Sequence, residues 1–471
     1  MKKYLFLFTA LFLFTQYSFS QNKIDGSYKG AIAVGGMSID FGVKFITEGD
    51  SLKGTYEQQG MILPLSDIKY NYPSISFTLI VQGGASNAYF DGVVYPDSIS
   101  GVFKQSSYLG KFYLKPFTEA PKDTTKINEN LPYKQEEVTF KNGENTFSGT
   151  LNLPSKEGKH PAIILISGSG PNDRDETILG FKPFKIIADY MTKKGVAVLR
   201  YDKRNVGKSK GKNISESTTM DFADDAIEAF NYLKTRNDIN AEQIGLWGHS
   251  EGGLVAPMVA SKNKNIAFII LMAGPGVNGG EIILEQSRLI LKANGMPDDK
   301  INSSLEVNKR VINAITKNED LDALKKELTE KFISEFDSLS DEAKGGITDK
   351  NKYAEDRAAG TINSFNNTWM KYFLSFEPKD ALENVSCPVL ALFGELDLQV
   401  PPAQSEQPMK DALSKSSSKD VTFKIFPKAN HLFQTATNGS PAEYGNLPKE
   451  FIEGFLDYIS NWVLQRVTII K

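Results

Sequence analysis

Through residues 22–117 apolar and polar positions alternate with a period of two, and no stretch carries the three-to-four spacing of a helix. Ile39, Phe41, Val43 and Phe45 fall on one face of such a run, as do Ile75, Phe77, Leu79 and Val81. Turn signals separate the runs at Gly49-Asp50, Gly83-Gly84 and Tyr95-Pro96-Asp97. The pattern predicts an antiparallel meander, closed as a small barrel or folded as a sandwich, and forming an N-terminal all-β domain. Residues 118–132 are polar and free of aromatics, which marks a linker.

The pattern changes at Tyr133, where residues 133–471 are expected to form a second domain. Glu136–Phe140 and Thr146–Leu153 read as a hairpin, and Pro161–Ser167 as a continuous apolar strand of the kind buried on both faces. Helical and strand-like segments then alternate. Phe184–Lys194, Met220–Arg236 and Glu251–Ser261 have helical spacing, and Val196–Tyr201, Gln243–Trp247 and Ile266–Met272 read as strands. That alternation predicts an α/β fold with a mainly parallel sheet. From about residue 277 to 383 the period is helical throughout, which interrupts the alternation and is well placed to form a lid or cap. The sheet resumes at Pro388–Phe393 and Val421–Phe426, with helices expected over Gln404–Lys415 and Lys449–Gln465.

Composition adds limits. At 471 residues the chain exceeds one ordinary core, and 40% hydrophobic with 24% charged residues is a globular balance. A formal net charge of −3 with no basic stripe argues against a nucleic-acid partner. Met1-Lys2-Lys3, the apolar run Tyr4–Phe14 and small residues at Ser18 and Ser20 predict a signal peptide over residues 1–20, and hence an exported, periplasmic or secreted protein. The apolar run is too short for a stable membrane anchor. Cys387 is the one cysteine, so no intramolecular disulfide forms; it is expected to be a small buried hydrophobe.

The chemistry is concentrated at Gly248-His249-Ser250-Glu251-Gly252, a G-x-S-x-G turn between a predicted strand and a predicted helix. In such an elbow the serine hydroxyl is lifted clear of the sheet, and glycines flank it because strand and helix pass too close for a Cβ. Glu251 would supply one oxyanion-hole N–H at the helix start. Of the three histidines, His160 reads as a surface residue and His249 as pointing away from Ser250. His431 lies in the loop after the strand Val421–Phe426, at the carboxyl end of a parallel strand where ligands sit, and is the candidate base. Its orienting acid is expected in Gly394-Glu-Leu-Asp-Leu-Gln-Val-Pro401, as Asp397 or, alternatively, Glu395. The loop Ser167-Gly168-Ser169-Gly170-Pro171-Asn172-Asp173-Arg174-Asp175 offers Ser169 N–H as the second oxyanion donor. Asp173, Arg174 and Asp175 are expected to pin that loop by ion pairs, and Asp202 with Arg204 to do the same. Lys203, Lys208, Lys210 and Lys212 read as a solvated loop. Gly168-Ser169-Gly170 lacks the third glycine of a dinucleotide loop, and Gly207-Lys208-Ser209 lacks the first glycine of a phosphate loop. With no H-E-x-x-H or Cys/His cluster either, neither metal nor cofactor is expected.

The order Ser250, Asp397, His431 is the order of α/β-hydrolases. Together with Arg200-Tyr-Asp-Lys-Arg204, Gly248–Gly253, Gly394–Pro401 and Asn430-His431, the chain from Tyr133 to Gln465 resembles secreted bacterial carboxylesterases of the dienelactone-hydrolase and prolyl-oligopeptidase-like branch. The resemblance implies hydrolysis of a small-molecule ester through an acyl-enzyme on Ser250, with His431 as base. Peptidase or acyltransferase chemistry uses the same groups and stays an alternative. Trp369, Tyr372, Phe373 and Phe376 have the helical spacing of core residues, and the other reading makes them walls of a small acyl pocket that favours short chains. A non-enzymatic rival has the β-domain binding a glycan or wall component beside an inert hydrolase half; the intact set of three candidate side chains argues against it.

Overall fold

The computed structural model describes residues 24–470, except 35–36, 50, 59–60, 80–86, 106–107, 118–130, 340–343, 345–346 and 348. The expected leader, Val81, the Gly83-Gly84 turn and most of the linker lie outside the described residues.

Eight strands, β1 (Gly26–Val34) to β8 (Tyr108–Pro116), pair in sequence order, and β1 also pairs with β8, so the meander closes as a barrel rather than a sandwich. Alternation decides what the barrel holds. On the sixth strand, Ala88–Tyr95, buried and exposed residues alternate without a break. The inward faces contribute Phe41, Phe45, Phe77, Phe90 and Phe112 to one core, with Phe77 and Phe90 stacked at 4.7 Å. The barrel is thus filled by side chains.

The second sheet comprises β9 (Tyr133–Asn142), β10 (Asn145–Pro154), β11 (His160–Ile166), β12 (Ala197–Tyr201), β13 (Ile239–His249), β14 (Ile269–Met272), β15 (Val389–Gly394) and β16 (Val421–Phe426). Its spatial order is β16-β15-β14-β13-β11-β12-β10-β9, parallel from β12 to β16 and antiparallel at the β9–β10 hairpin edge. Strand β11 shows why a continuous apolar run was needed. Ala162, Ile164 and Ile166 enter the core on one face, and Ile163 and Leu165 enter the core on the other. Helices α2 (Thr219–Lys234) and α3 (Gly252–Lys262) contribute to the first core, and α1 (Pro183–Lys193) to the second.

Between β14 and β15 lies the helical insertion, running from α4 (Gly279–Ala293) through α5 (Asp298–Thr316), α6 (Leu321–Asp337), α7 (Lys350–Phe365) and α8 (Thr368–Ser375) to α9 (Pro378–Leu382). It has its own apolar cluster around Val311, Leu328, Phe332, Ala354 and Ile362. After α10 (Pro402–Ser414) the closing helix, α11, spans only Phe455–Leu464. The expected start at Lys449 fails because Gly454 adopts a left-handed φ of 78°, which breaks helical continuity.

Candidate active site

Strand β13 ends at His249 and α3 begins at Gly252, so Ser250 and Glu251 make the whole turn. Ser250 has φ 53°, a left-handed conformation that L-residues hold only under constraint. The constraint is visible: Ser250 N–H donates to Met272 O at 2.9 Å, and Gly253 N–H donates to Ser250 O at 2.8 Å. A Cβ on Gly248 would lie 1.9 Å from Gly252 O, and one on Gly252 would lie 2.1 Å from Ile166 O. Side chains at either position would push the helix off the sheet.

Asp397 and His431 come from the loops that follow the neighbouring strands β15 and β16. His431 Nδ1 lies 2.8 Å from Asp397 Oδ2. Both residues are buried, and Asp397 Oδ1 accepts from Gln399 N–H and Val400 N–H at 2.8 Å each, which fixes the carboxylate plane. Asn430 Oδ1 accepts from Leu432 and Gln434 N–H groups and shapes the turn that presents the imidazole. Glu395, the alternative acid, is exposed and accepts from Lys428 N–H instead. Ser250 and His431 line one cavity of about 320 Å³, and no hydrogen bond joins the serine hydroxyl to His431 Nε2.

The loop after β11 forms another wall of this cavity, and a Cβ on Gly168 would lie 3.1 Å from Ser250 Cβ. Gly168 N–H donates to Glu176 Oε1 at 2.6 Å, and Asn172 Nδ2 donates to Gly168 O and Ser169 O. The N–H groups of Ser169 and Glu251 make no hydrogen bond among the described residues. Arg174 holds the loop to the sheet edge, donating to Asp202, Glu137, Thr150 and Ser148. Asp175 pairs with Arg200, and Asp173 closes the turn by accepting from Asp175 N–H and Thr177 N–H.

Several expectations need correction. Asp202 pairs with Arg174, whereas Arg204 is bound by Asp221 and Asp225 of α2. Lys203 is buried, not solvated; its ammonium reaches Gly168 O at 2.5 Å and Glu251 Oε2 at 3.2 Å. His160 is buried too, with Nε2 2.8 Å from Lys156 O. Trp369, Tyr372, Phe373 and Phe376 do not line the cavity that holds Ser250; they pack against the apolar core around α3, so they are core residues. Trp369 has a further role that spacing did not reveal, donating its indole N–H to Glu251 Oε1 at 2.6 Å.

Sequence reasoning also missed the Glu176–His249 pair. His249 Nδ1 lies 2.9 Å from Glu176 Oε1, and Nε2 lies 3.0 Å from His431 O. Burial pushes the His249 pKa down, but the Glu176 carboxylate and the hydrogen bonds to it and to His431 O outweigh burial and raise it. Among the described residues no group of three or more His, Cys, Asp and Glu side chains is placed to hold a metal ion.

Residues 182–331 match the family described as "Serine aminopeptidase, S33", and residues 342–453 match the "Prolyl oligopeptidase family". The chain is 28% identical over 354 residues to "Esterase EstD" of Thermotoga maritima, covering 73% of this chain and 72% of that protein. It is 31% identical over 146 residues to "Thiohydrolase aneE" of Aspergillus aculeatus, covering 31% of this chain and 43% of that protein. Among solved structures, Est1E from Butyrivibrio proteoclasticus with bound ferulic acid aligns at 16% identity and TM-score 0.38, over 70% of this chain and 96% of that one.

Proposed function

We propose that this chain, an α/β-hydrolase by fold, cleaves carboxylic esters of small molecules through an acyl-enzyme on Ser250. The observation that carries the reading is the 2.8 Å hydrogen bond from His431 to Asp397, opening onto the cavity that Ser250 lines from its left-handed turn. In this reading the Ser250 hydroxyl attacks the acyl carbonyl as His431 Nε2 takes its proton. Asp397 holds Nδ1–H and stabilises the imidazolium without taking the proton itself. The N–H groups of Ser169 and Glu251 receive the oxyanion, and water activated by His431 then releases the acid.

The esterase similarity of the Thermotoga maritima protein supports an ester in preference to an amide. At about 320 Å³ the cavity sits at the small end of ligand sites, which supports short acyl chains. Export remains part of the reading and rests on the basic and apolar pattern of residues 1–20. The test is a panel of p-nitrophenyl esters of rising acyl length, beside aminoacyl anilides, on wild type and Ser250→Ala. Short esters turned over fastest, with activity lost in Ser250→Ala, is the expected result. Faster turnover of the anilides would overturn the ester reading in favour of a peptidase.

A further inference from the structure

The Lys203 ammonium occupies a site that the hydrolytic steps themselves do not use. Its side chain is 7% exposed and lies between Gly168 O at 2.5 Å, Glu251 Oε2 at 3.2 Å and the Phe222 ring face at 4.3 Å. Burying a cation so completely is costly unless its partners are well placed. One polar partner is the carbonyl of the peptide that carries Ser169 N–H, and the other is the side chain of Glu251, which carries the second donor.

The geometry of the peptide unit makes the first contact informative. Gly168 C=O and Ser169 N–H are opposite ends of one planar trans peptide, so they point in opposite directions. A cation fixed on the oxygen therefore directs the Ser169 N–H away from Lys203, and Ser169 lines one cavity together with Ser250. It also withdraws charge from the oxygen, which polarises the N–H and strengthens it as a donor. Asn172 Nδ2 donates to the same oxygen at 2.8 Å and acts in the same sense. The second contact is with Glu251, whose own N–H is the other donor. The Glu251 carboxylate is held in turn by Thr219 Oγ1 at 2.8 Å and Trp369 Nε1 at 2.6 Å.

We propose that Lys203 is a positioning residue for the oxyanion hole, clamping the loop that carries Ser169 to the turn that carries Glu251. The proposal rests on the reading of those N–H groups as the oxyanion donors. It separates Lys203 from its loop neighbour Lys208, whose ammonium is largely exposed and pairs with Glu137.

The test compares Lys203→Met, Lys203→Arg and the double variant Lys203→Met/Glu251→Gln with wild type. The readouts are kcat, KM, thermal stability and affinity for an aryl boronic acid, which forms a tetrahedral adduct on a reactive serine. Loss of a well-aimed donor costs about 10²–10³ in kcat, and a donor left in place but unaimed should lose about tenfold or more. Lys203→Met should lose that much kcat and boronate affinity in parallel, with KM nearly unchanged, and Lys203→Arg should recover part of both. The double variant removes the carboxylate that Lys203→Met strands, so its stability should return toward wild type while kcat stays low. Recovery of kcat together with stability, or wild-type kcat in a folded Lys203→Met protein, would overturn the proposal. Should wild type hydrolyse no ester at all, the esterase reading fails by itself and boronate affinity decides: weaker binding to Lys203→Met supports the clamp, and equal binding refutes it.

Discussion

His249 Nε2 lies 3.0 Å from the carbonyl oxygen of His431, so the residue before the candidate nucleophile holds the backbone of the candidate base. The other nitrogen of the same ring meets Glu176 Oε1, which also binds Gly168 N–H. One buried carboxylate–imidazole pair thereby links the serine turn, the loop after β11 and the loop after β16. A charged His249 donates from both nitrogens, to Glu176 Oε1 and to His431 O, while Glu176 Oε2 is buried without a partner.

The pair predicts a specific pH dependence of stability. Because the folded-state pKa of His249 is raised above the ordinary 6.5, its contribution is fully present below that value and is lost as pH rises through the folded pKa. Denaturation of wild type and His249→Gln across mildly acid to alkaline pH should show a gap that narrows as pH rises. Truncation to alanine strands the buried Glu176 charge and should cost about 3–5 kcal/mol at neutral pH. A wild-type advantage that does not change with pH would contradict a charged His249.

Asp397→Asn should lower kcat by about 10⁴, if the effect matches that of other triad acids, with little change in KM. The asparagine keeps the shape but does not enforce the imidazole tautomer that leaves Nε2 free to accept a proton. Glu395→Gln should leave kcat near wild type, since that carboxylate meets Lys428 N–H and not the imidazole. Steady-state kinetics on one short ester decides between the two acids.

The sequence points to the Asp397–His431 contact and not to the Lys203 contacts, and the difference is one of range. The Ser250 turn, the strands before Asp397 and His431, and their chain order are local patterns, because a sharp turn demands glycine and a buried strand demands apolar residues. Barrel and sandwich share the same alternation, so only the pairing of β1 with β8 separates them. Lys203 looks like Lys208, Lys210 and Lys212 because all sit in one charged loop, and its burial depends on Glu251, 48 residues on. Trp369 likewise has core spacing, yet its indole N–H is spent on Glu251, 118 residues back. Glu176 gave no local sign either: its partner His249 is 73 residues away. Polar contacts of this kind have no period to betray them.

Cys387 should be chemically silent in the native protein. Burial pushes its thiol up to about 12, so almost no thiolate exists at neutral or mildly alkaline pH. Titration with a disulfide reagent at about pH 8 should show no fast-reacting thiol until denaturant is added, when one equivalent should appear. Rapid native labelling would mean that the segment before β15 opens readily.

Ser250 should show a trade between activity and stability. A non-glycine residue at its φ of 53° carries about 1–2 kcal/mol of backbone strain. Ser250→Ala and Ser250→Gly both delete the hydroxyl, and both should lose ester hydrolysis. Only the glycine variant relieves the strain, so it should be more stable than the alanine variant by about 1 kcal/mol, or roughly 1–2 °C in Tm for a domain of this size. The comparison between the two inactive variants isolates the turn from the chemistry. Equal melting temperatures would mean that packing of the Ser250 Cβ against the Gly168 loop offsets the strain, and that the elbow is held as firmly by contact as by geometry.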